Sequence, residues 1–138
     1  MSVLEHAISI AVCAHAGETS ENGEPYILHP LRVMLSMQTN EERVVAVLHD
    51  VVEKTRWDLQ NLRAEGFDAA LIEAVESVSR HKEESYDDFV KRTKLNPIGR
   101  RVKIADLKDN IDAVTSGRNP AKASNLTKYE NALSVLCG

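Results

Sequence analysis

Apolar positions recur along this chain at helical spacing. Val3, Leu4, Ala7, Ile8, Ala11 and Val12 fall at i, i+4 and i+8 with their neighbours, so residues 2–15 read as an amphipathic helix. Ser2 stands before it as a cap, with Glu5 three residues on in capping-box register. The polar run from Gly17 to Gly23 reads as a loop. Leu31, Val33, Met34 and Leu35 predict a short helix over 30–38; Pro30 suits its first turn and pushes His29 towards extended backbone. Asn40 can cap a helix running to about Glu53, with Val44, Val45, Leu48, Val51 and Val52 as its inward stripe. A short helix over 59–65 ends at Gly66. A further helix from Asp68 to about Ser79 turns Ala70, Leu71, Ala74, Val75 and Val78 inwards. Ser85 with Asp88 forms a capping box for a helix over 86–93, and Asn96-Pro97 supplies a cap and first-turn proline for one from 97 to about 114. Asn119-Pro120 opens a loop or a last helix that ends near Leu136. No segment alternates as a strand does. The expected fold is all-α, a single domain over 1–138 with about seven or eight helices.

Two carboxylates interrupt this pattern where they are costly. His49 and Asp50 sit inside the apolar run Val44–Val52, and an ionised aspartate there needs a partner or a metal. Imidazole beside carboxylate suits a divalent first-row ion; a buried His–Asp hydrogen bond is the plainer alternative. Asp106 lies between Ala105 and Leu107 in the helix from 97. Lys103, Asp106 and Asn110 share one face of that helix, a cation, a carboxylate and an amide in a column. That face suits a metal with phosphate and nucleotide contacts beside it; the alternative is an i,i+3 ion pair worth about 0.3 kcal/mol. With His29, held at a helix entrance by Pro30, the candidate ligands are His29, His49, Asp50 and Asp106. Two imidazoles and two carboxylates leave a divalent ion near neutrality with room for water and substrate, the pattern of a catalytic metal. Glu53, one turn after Asp50, is placed to act as a base on an activated water.

Composition narrows the choice of partner. A net charge of −4 argues against a broad nucleic-acid surface but allows a local basic pocket. No run approaches the roughly 18 apolar residues of a membrane span, and no leader pattern opens the chain. Cys13 and Cys137, without a CxxC pair, read as free thiols of a cytoplasmic protein, with Cys13 in the core. Leu126, Leu133, Val135 and Leu136 of the last helix either cover the core or meet a second copy in a homo-oligomer.

Four blocks carry a family resemblance: Ala14-His-Ala-Gly17, Gly23-Glu-Pro-Tyr-Ile-Leu-His-Pro30, His49-Asp-Val-Val-Glu-Lys-Thr55 and Val102-Lys-Ile-Ala-Asp-Leu-Lys-Asp-Asn110. In this order and spacing the chain resembles the HD phosphohydrolase superfamily. Within it, the resemblance is to the hydrolase domains of RelA/SpoT-type enzymes and small alarmone hydrolases, over positions 5 to 136. The resemblance implies an all-helical HD domain holding one divalent ion, manganese as the rule, on His29, His49, Asp50 and Asp106. It implies removal of pyrophosphate from the 3′ position of ppGpp or pppGpp. Glu53 would orient or deprotonate the water, Lys103 and Asn110 would line the nucleotide pocket, and Tyr26 would close one side of it. Two positions depart from the family pattern. Lys54 replaces the second acid after the HD block, which either lowers turnover or grips a phosphate. Ser20-Glu21 replaces a basic pair that holds guanine, which argues against the same grip on the base. Hydrolysis of another nucleotide or phosphate ester, and a metal-containing nucleotide-binding module with impaired catalysis, are the competing readings.

Overall fold

A computed structural model describes residues 1–138. The chain forms α1 (Val3–Ala14), α2 (Leu28–Leu35), α3 (Asn40–Leu48), α4 (Val51–Lys54), α5 (Leu59–Ala64), α6 (Ala69–Ser77), α7 (Tyr86–Lys94), α8 (Pro97–Thr115) and α9 (Leu126–Cys137), with a 3-10 helix at Pro120–Asn125. One isolated antiparallel bridge, Thr19 to Pro25, closes the loop between α1 and α2. The fold is all-α, as the apolar spacing predicts.

Helix α3 is the centre. Its residues from Val44 to Leu48 are all buried, because α1, α2, α6 and α8 pack around it. Ala7, Ile10 and Ala11 of α1, Val33 and Met34 of α2, and Val102 of α8 belong to the same apolar cluster. A second, smaller cluster joins Val90 of α7, Leu107 of α8, and Ala132 and Leu136 of α9. Helix α8 therefore spans both clusters and carries polar residues between them. Helix α9 buries Ala132 and Leu136 and leaves Val135 exposed, so most of its apolar face covers the core.

Local chemistry sets the helix ends. Ser2 accepts from Glu5 N (3.1 Å) and Glu5 Oε1 accepts from Ser2 N (2.9 Å), the reciprocal box expected there. Asn96 Oδ1 accepts from the amides of Ile98 and Gly99, and Pro97 follows it. Gly99 has a packing role, since a Cβ there would lie 1.9 Å from Ser77 Oγ on α6.

Several details differ from the sequence expectation. The cap of α3 is Thr39, not Asn40, because Thr39 and Glu42 form a capping box one position earlier. Helix α2 begins at Leu28, so His29 is helical; Pro30 still falls in the first turn, where a missing N–H costs nothing. Helix α2 also ends at Leu35, short of 38. Ser85 Oγ accepts from Asp88 N (3.1 Å), the forward half of the expected box. Ala70 turns outwards and Ile72 inwards on α6. Cys13 is exposed, because α1 buries the face of Ala7, Ile10 and Ala11. The helix expected to run to Glu53 breaks at His49-Asp50. His49 N and His49 Nδ1 both reach the carbonyl of Ala46 (3.3 and 2.6 Å), an acceptor that a regular helix gives to residue 50.

Candidate metal centre

Three elements bring the predicted ligands to one point. His29 projects from the first turn of α2, His49 and Asp50 from the junction of α3 and α4, and Asp106 from the middle of α8. The ligand atoms of His29, His49 and Asp50 lie within 4.8 Å of one another. Asp106 Oδ1 is 2.7 Å from His29 Nε2 and 3.3 Å from His49 Nε2. His29, His49 and Asp106 are all buried.

The chemistry of His49 tests whether a metal fits. Its Nδ1–H must donate to the Ala46 carbonyl, which can only accept. That leaves Nε2 as the free lone pair of the neutral ring, and this buried atom has no hydrogen-bond partner. It faces Asp50 Oδ2 at 3.1 Å and Asp106 Oδ1 at 3.3 Å, three electron-rich atoms turned towards one another. A divalent cation among them satisfies all three, so the donor set fits a metal. Without one, protonation is the remedy. Burial opposes a charge on His49, but Asp50 and Asp106 outweigh it and raise its pKa well above the ordinary value. Burial likewise opposes a charge on His29, and hydrogen bonds to Asp106 and Asp109 raise it. Burial alone would raise Asp106; Lys103 and the two histidines hold it well below the carboxylate range instead.

Further contacts orient these ligands. Tyr26 donates its hydroxyl to Asp50 Oδ2. Lys103 Nζ donates to Asp106 Oδ2 (2.8 Å), and Asn110 Nδ2 lies 3.4 Å from Asp106 Oδ1. The expected column on α8 is present, and its lysine is largely enclosed. Asp109, which sequence reasoning passed over, holds the other face of His29 through Nδ1 (2.7 Å). Arg32 donates to Asp109 from Nε (2.9 Å) and Nη2 (3.2 Å). Burial works to raise Asp109, but His29 and Arg32 pull its pKa down to about 2. The available signal was spacing, since Arg32 is one turn after His29 and Asp109 one turn after Asp106.

His29, Asp50 and Asp106 lie on the floor of a cavity of about 560 Å³ lined also by Glu53, Lys54, Lys103 and Asn110, with His49 behind them. Glu53 accepts from Arg80 N; burial pushes its pKa up, the Arg80 amide opposes that, and Asp50 adds to the rise. Lys54 Nζ stands 5.1 Å from the centroid of the Tyr26 ring, so this lysine is part of the wall. Tyr86, Lys122, Lys128 and Tyr129 complete the cationic and aromatic side, which the sequence reading did not pick out. Lys122 Nζ donates to Asn110 Oδ1 (2.7 Å), and Lys128 Nζ sits 4.1 Å from the Tyr86 centroid. At the rim, Asn119 Nδ2 donates to Glu21 Oε2 (3.1 Å) and Asn22 Nδ2 to the Arg118 carbonyl (3.2 Å).

No family model matches the chain. Known proteins do. Guanosine-3′,5′-bis(diphosphate) 3′-pyrophosphohydrolase of Haemophilus influenzae is 40% identical over 75 residues, which is 51% of this chain and 11% of that protein. The bifunctional (p)ppGpp synthase/hydrolase SpoT of Escherichia coli is 38% identical over 81 residues, 56% of this chain and 11% of its own length. The pyrophosphohydrolase of Aquifex aeolicus is 28% identical over 120 residues, 80% of this chain and 17% of its own length. The chain thus spans about a tenth to a sixth of the curated relatives it matches. A solved structure of a metazoan ortholog of SpoT, described as hydrolyzing ppGpp, superposes with a TM-score of 0.77 at 16% identity, covering 99% of this chain and 85% of that one. The two chains share a fold. The resemblance to RelA/SpoT-type hydrolases therefore stands on sequence and on architecture. No helix is long and apolar enough to cross a membrane.

Proposed function

We propose that residues 1–138 are one HD-type phosphohydrolase domain that converts ppGpp to GDP and pyrophosphate, with one manganese ion held by His29, His49, Asp50 and Asp106. The observation that carries this reading is the bare, buried Nε2 of His49, which faces two carboxylates on the floor of a cavity walled by lysines. The names of the bacterial relatives and of the metazoan structure support the choice of ppGpp.

A bound divalent ion supplies Lewis acidity to a phosphoryl oxygen and makes an attacking water more acidic. Glu53 takes the proton from that water; its raised pKa brings it closer to the range where a carboxylate works as a general base. The Arg80 amide fixes the Glu53 carboxylate, and the Tyr26 hydroxyl fixes Asp50 while its ring closes one side. Lys103 offsets the buried charge of Asp106 and faces the cavity beside Asn110, on the nucleotide side. Lys54, poised over Tyr26, supplies a cation to a phosphate where the family has an acid.

A second reading keeps the chemistry and changes the substrate to another nucleotide or phosphate ester. It is favoured by Glu21, which lines the cavity as an acid and is held by Asn119. The test is incubation with ppGpp and manganese, with nucleotides and pyrophosphate resolved by ion-exchange chromatography. GDP and pyrophosphate should appear, EDTA should abolish them, and Glu53→Gln should lower kcat by roughly 10²–10⁴-fold. Intact ppGpp beside metal-loaded protein would overturn the ppGpp assignment; a panel of other phosphate esters then separates the second reading from a module that binds nucleotide without turnover.

A further inference from the structure

A second cavity, of about 380 Å³, opens between α2 and α8 on the far side of Asp109 from the metal ligands. Its lining combines three cationic side chains, Arg32, Arg101 and Lys108, with an apolar wall that includes Val33, Met37 and Ile104. The cations are only partly committed. Arg32 gives Nε and Nη2 to Asp109 and keeps Nη1. Arg101 gives Nη1 to Glu42 Oε2 (3.0 Å) while its side chain stays 59% exposed. Lys108 is exposed, and Asp112, one turn on, lies 3.8 Å from Arg118 instead. Cationic donors beside an apolar wall, in a concavity of ligand size, suit an anionic group on an apolar body.

The position of this cavity gives it a second property. Arg32 lies in its lining and also holds Asp109, and Asp109 holds His29 Nδ1. An anion that binds the free Nη1 of Arg32 shares the guanidinium charge with Asp109, whose other nearby cation is Arg118 at 3.6 Å. The less compensated carboxylate then grips the His29 N–H more strongly and makes Nε2 a better donor to a cation. We propose that the α2/α8 cavity is a binding site for a small organic phosphate whose occupancy is passed to His29 through Arg32 and Asp109. The site itself is independent of the function proposed above; its coupling rests on His29 being a metal ligand.

Phenyl phosphate is a suitable probe, and the methyl group of Met37 is a local reporter. In protein carrying ¹³C-methyl methionine, phenyl phosphate should shift the Met37 signal saturably and leave Met1 unmoved. Inorganic phosphate should bind about tenfold more weakly, for want of the apolar contact. The double variant Arg101→Ala/Lys108→Ala should weaken phenyl phosphate by tenfold or more, with its other methyl signals in place as proof of folding. In calorimetry, saturating phenyl phosphate should tighten manganese by roughly fivefold, and the double variant should lose that effect. A Met37 signal that never saturates, or that saturates equally in the double variant, overturns the site. A manganese affinity unchanged by the probe, or tightened equally in the double variant, overturns the relay. A wild-type protein that shifts Met37 yet leaves ppGpp intact sinks only the ppGpp assignment.

Discussion

Replacing Lys103 by methionine separates the structural pair from the metal. Lys103 Nζ lies 2.8 Å from Asp106 Oδ2, with side chains only 13% and 7% exposed. At that distance the attraction is about 6 kcal/mol at an effective dielectric of 20. The desolvation of lysine that methionine avoids offsets roughly half of it. What is left is a buried carboxylate held by the two histidines without its lysine, and removing one partner of such a pair typically costs about 3 kcal/mol. For a domain of 138 residues that is a fall of about 10 °C in Tm. The assay is thermal unfolding by circular dichroism in EDTA and then in saturating manganese. In EDTA the full deficit should appear. In manganese a cation in contact with Asp106 replaces the lost charge, and the deficit should shrink below about 1 kcal/mol, or 3 °C. An equal deficit in both conditions would refute Asp106 as a ligand. No deficit in EDTA would refute the argument that Lys103 stabilises the apo fold.

Asp109→Asn should weaken manganese by roughly 10–100-fold, because the carboxylate that orients His29 is lost; an unchanged calorimetric affinity would show that His29 is held some other way. Gly99→Ala drives a Cβ into Ser77 Oγ and should cost about 2 kcal/mol in urea unfolding. Most of that loss should disappear in a Ser77→Ala background, and two additive substitutions would count against the clash. Glu84 accepts from Arg92 Nε (2.8 Å) and Nη2 (2.9 Å), which lowers its pKa from 4.5 to about 2. Its folded pKa lies below its unfolded one, so the pair stabilises fully above about pH 4.5 and less as pH falls towards 2. Between those values the wild type should lose more stability than Glu84→Gln, and parallel acid profiles would remove this pair from the account.

The sequence foretold the helices and the chemistry better than their joins. Ser2, Asn96 and Pro97 acted as written because a cap is satisfied within four residues. Helix α3 ended early for a reason that spacing does not carry, the competition of the His49 ring for the Ala46 carbonyl. His49, Asp50 and Asp106 betrayed themselves as polar residues in apolar runs and His29 by its place before Pro30, and three separate elements do bring the four side chains together. Asp109 looked like one more surface acid on a charged helix, since its role depends on the side of α2 that faces α8. Lys122, Lys128 and Tyr129 were equally silent, because polar residues near a C-terminus normally face water and only the packing of the 3-10 helix and α9 turns them to the cavity. Cys13 misled through its apolar neighbours, whose inward face lies to either side of it.

The rim of the metal cavity is fastened by contacts between partners 96 and 98 residues apart, Asn22 with Arg118 and Glu21 with Asn119. Cavity-lining Glu21 and its neighbour Asn22 thereby tie the loop between α1 and α2 to the turn that follows α8, and so join distant parts of the chain beside the site. Breaking these few side-chain hydrogen bonds would free that loop from the C-terminal segment while α3 and its packed neighbours stay in place.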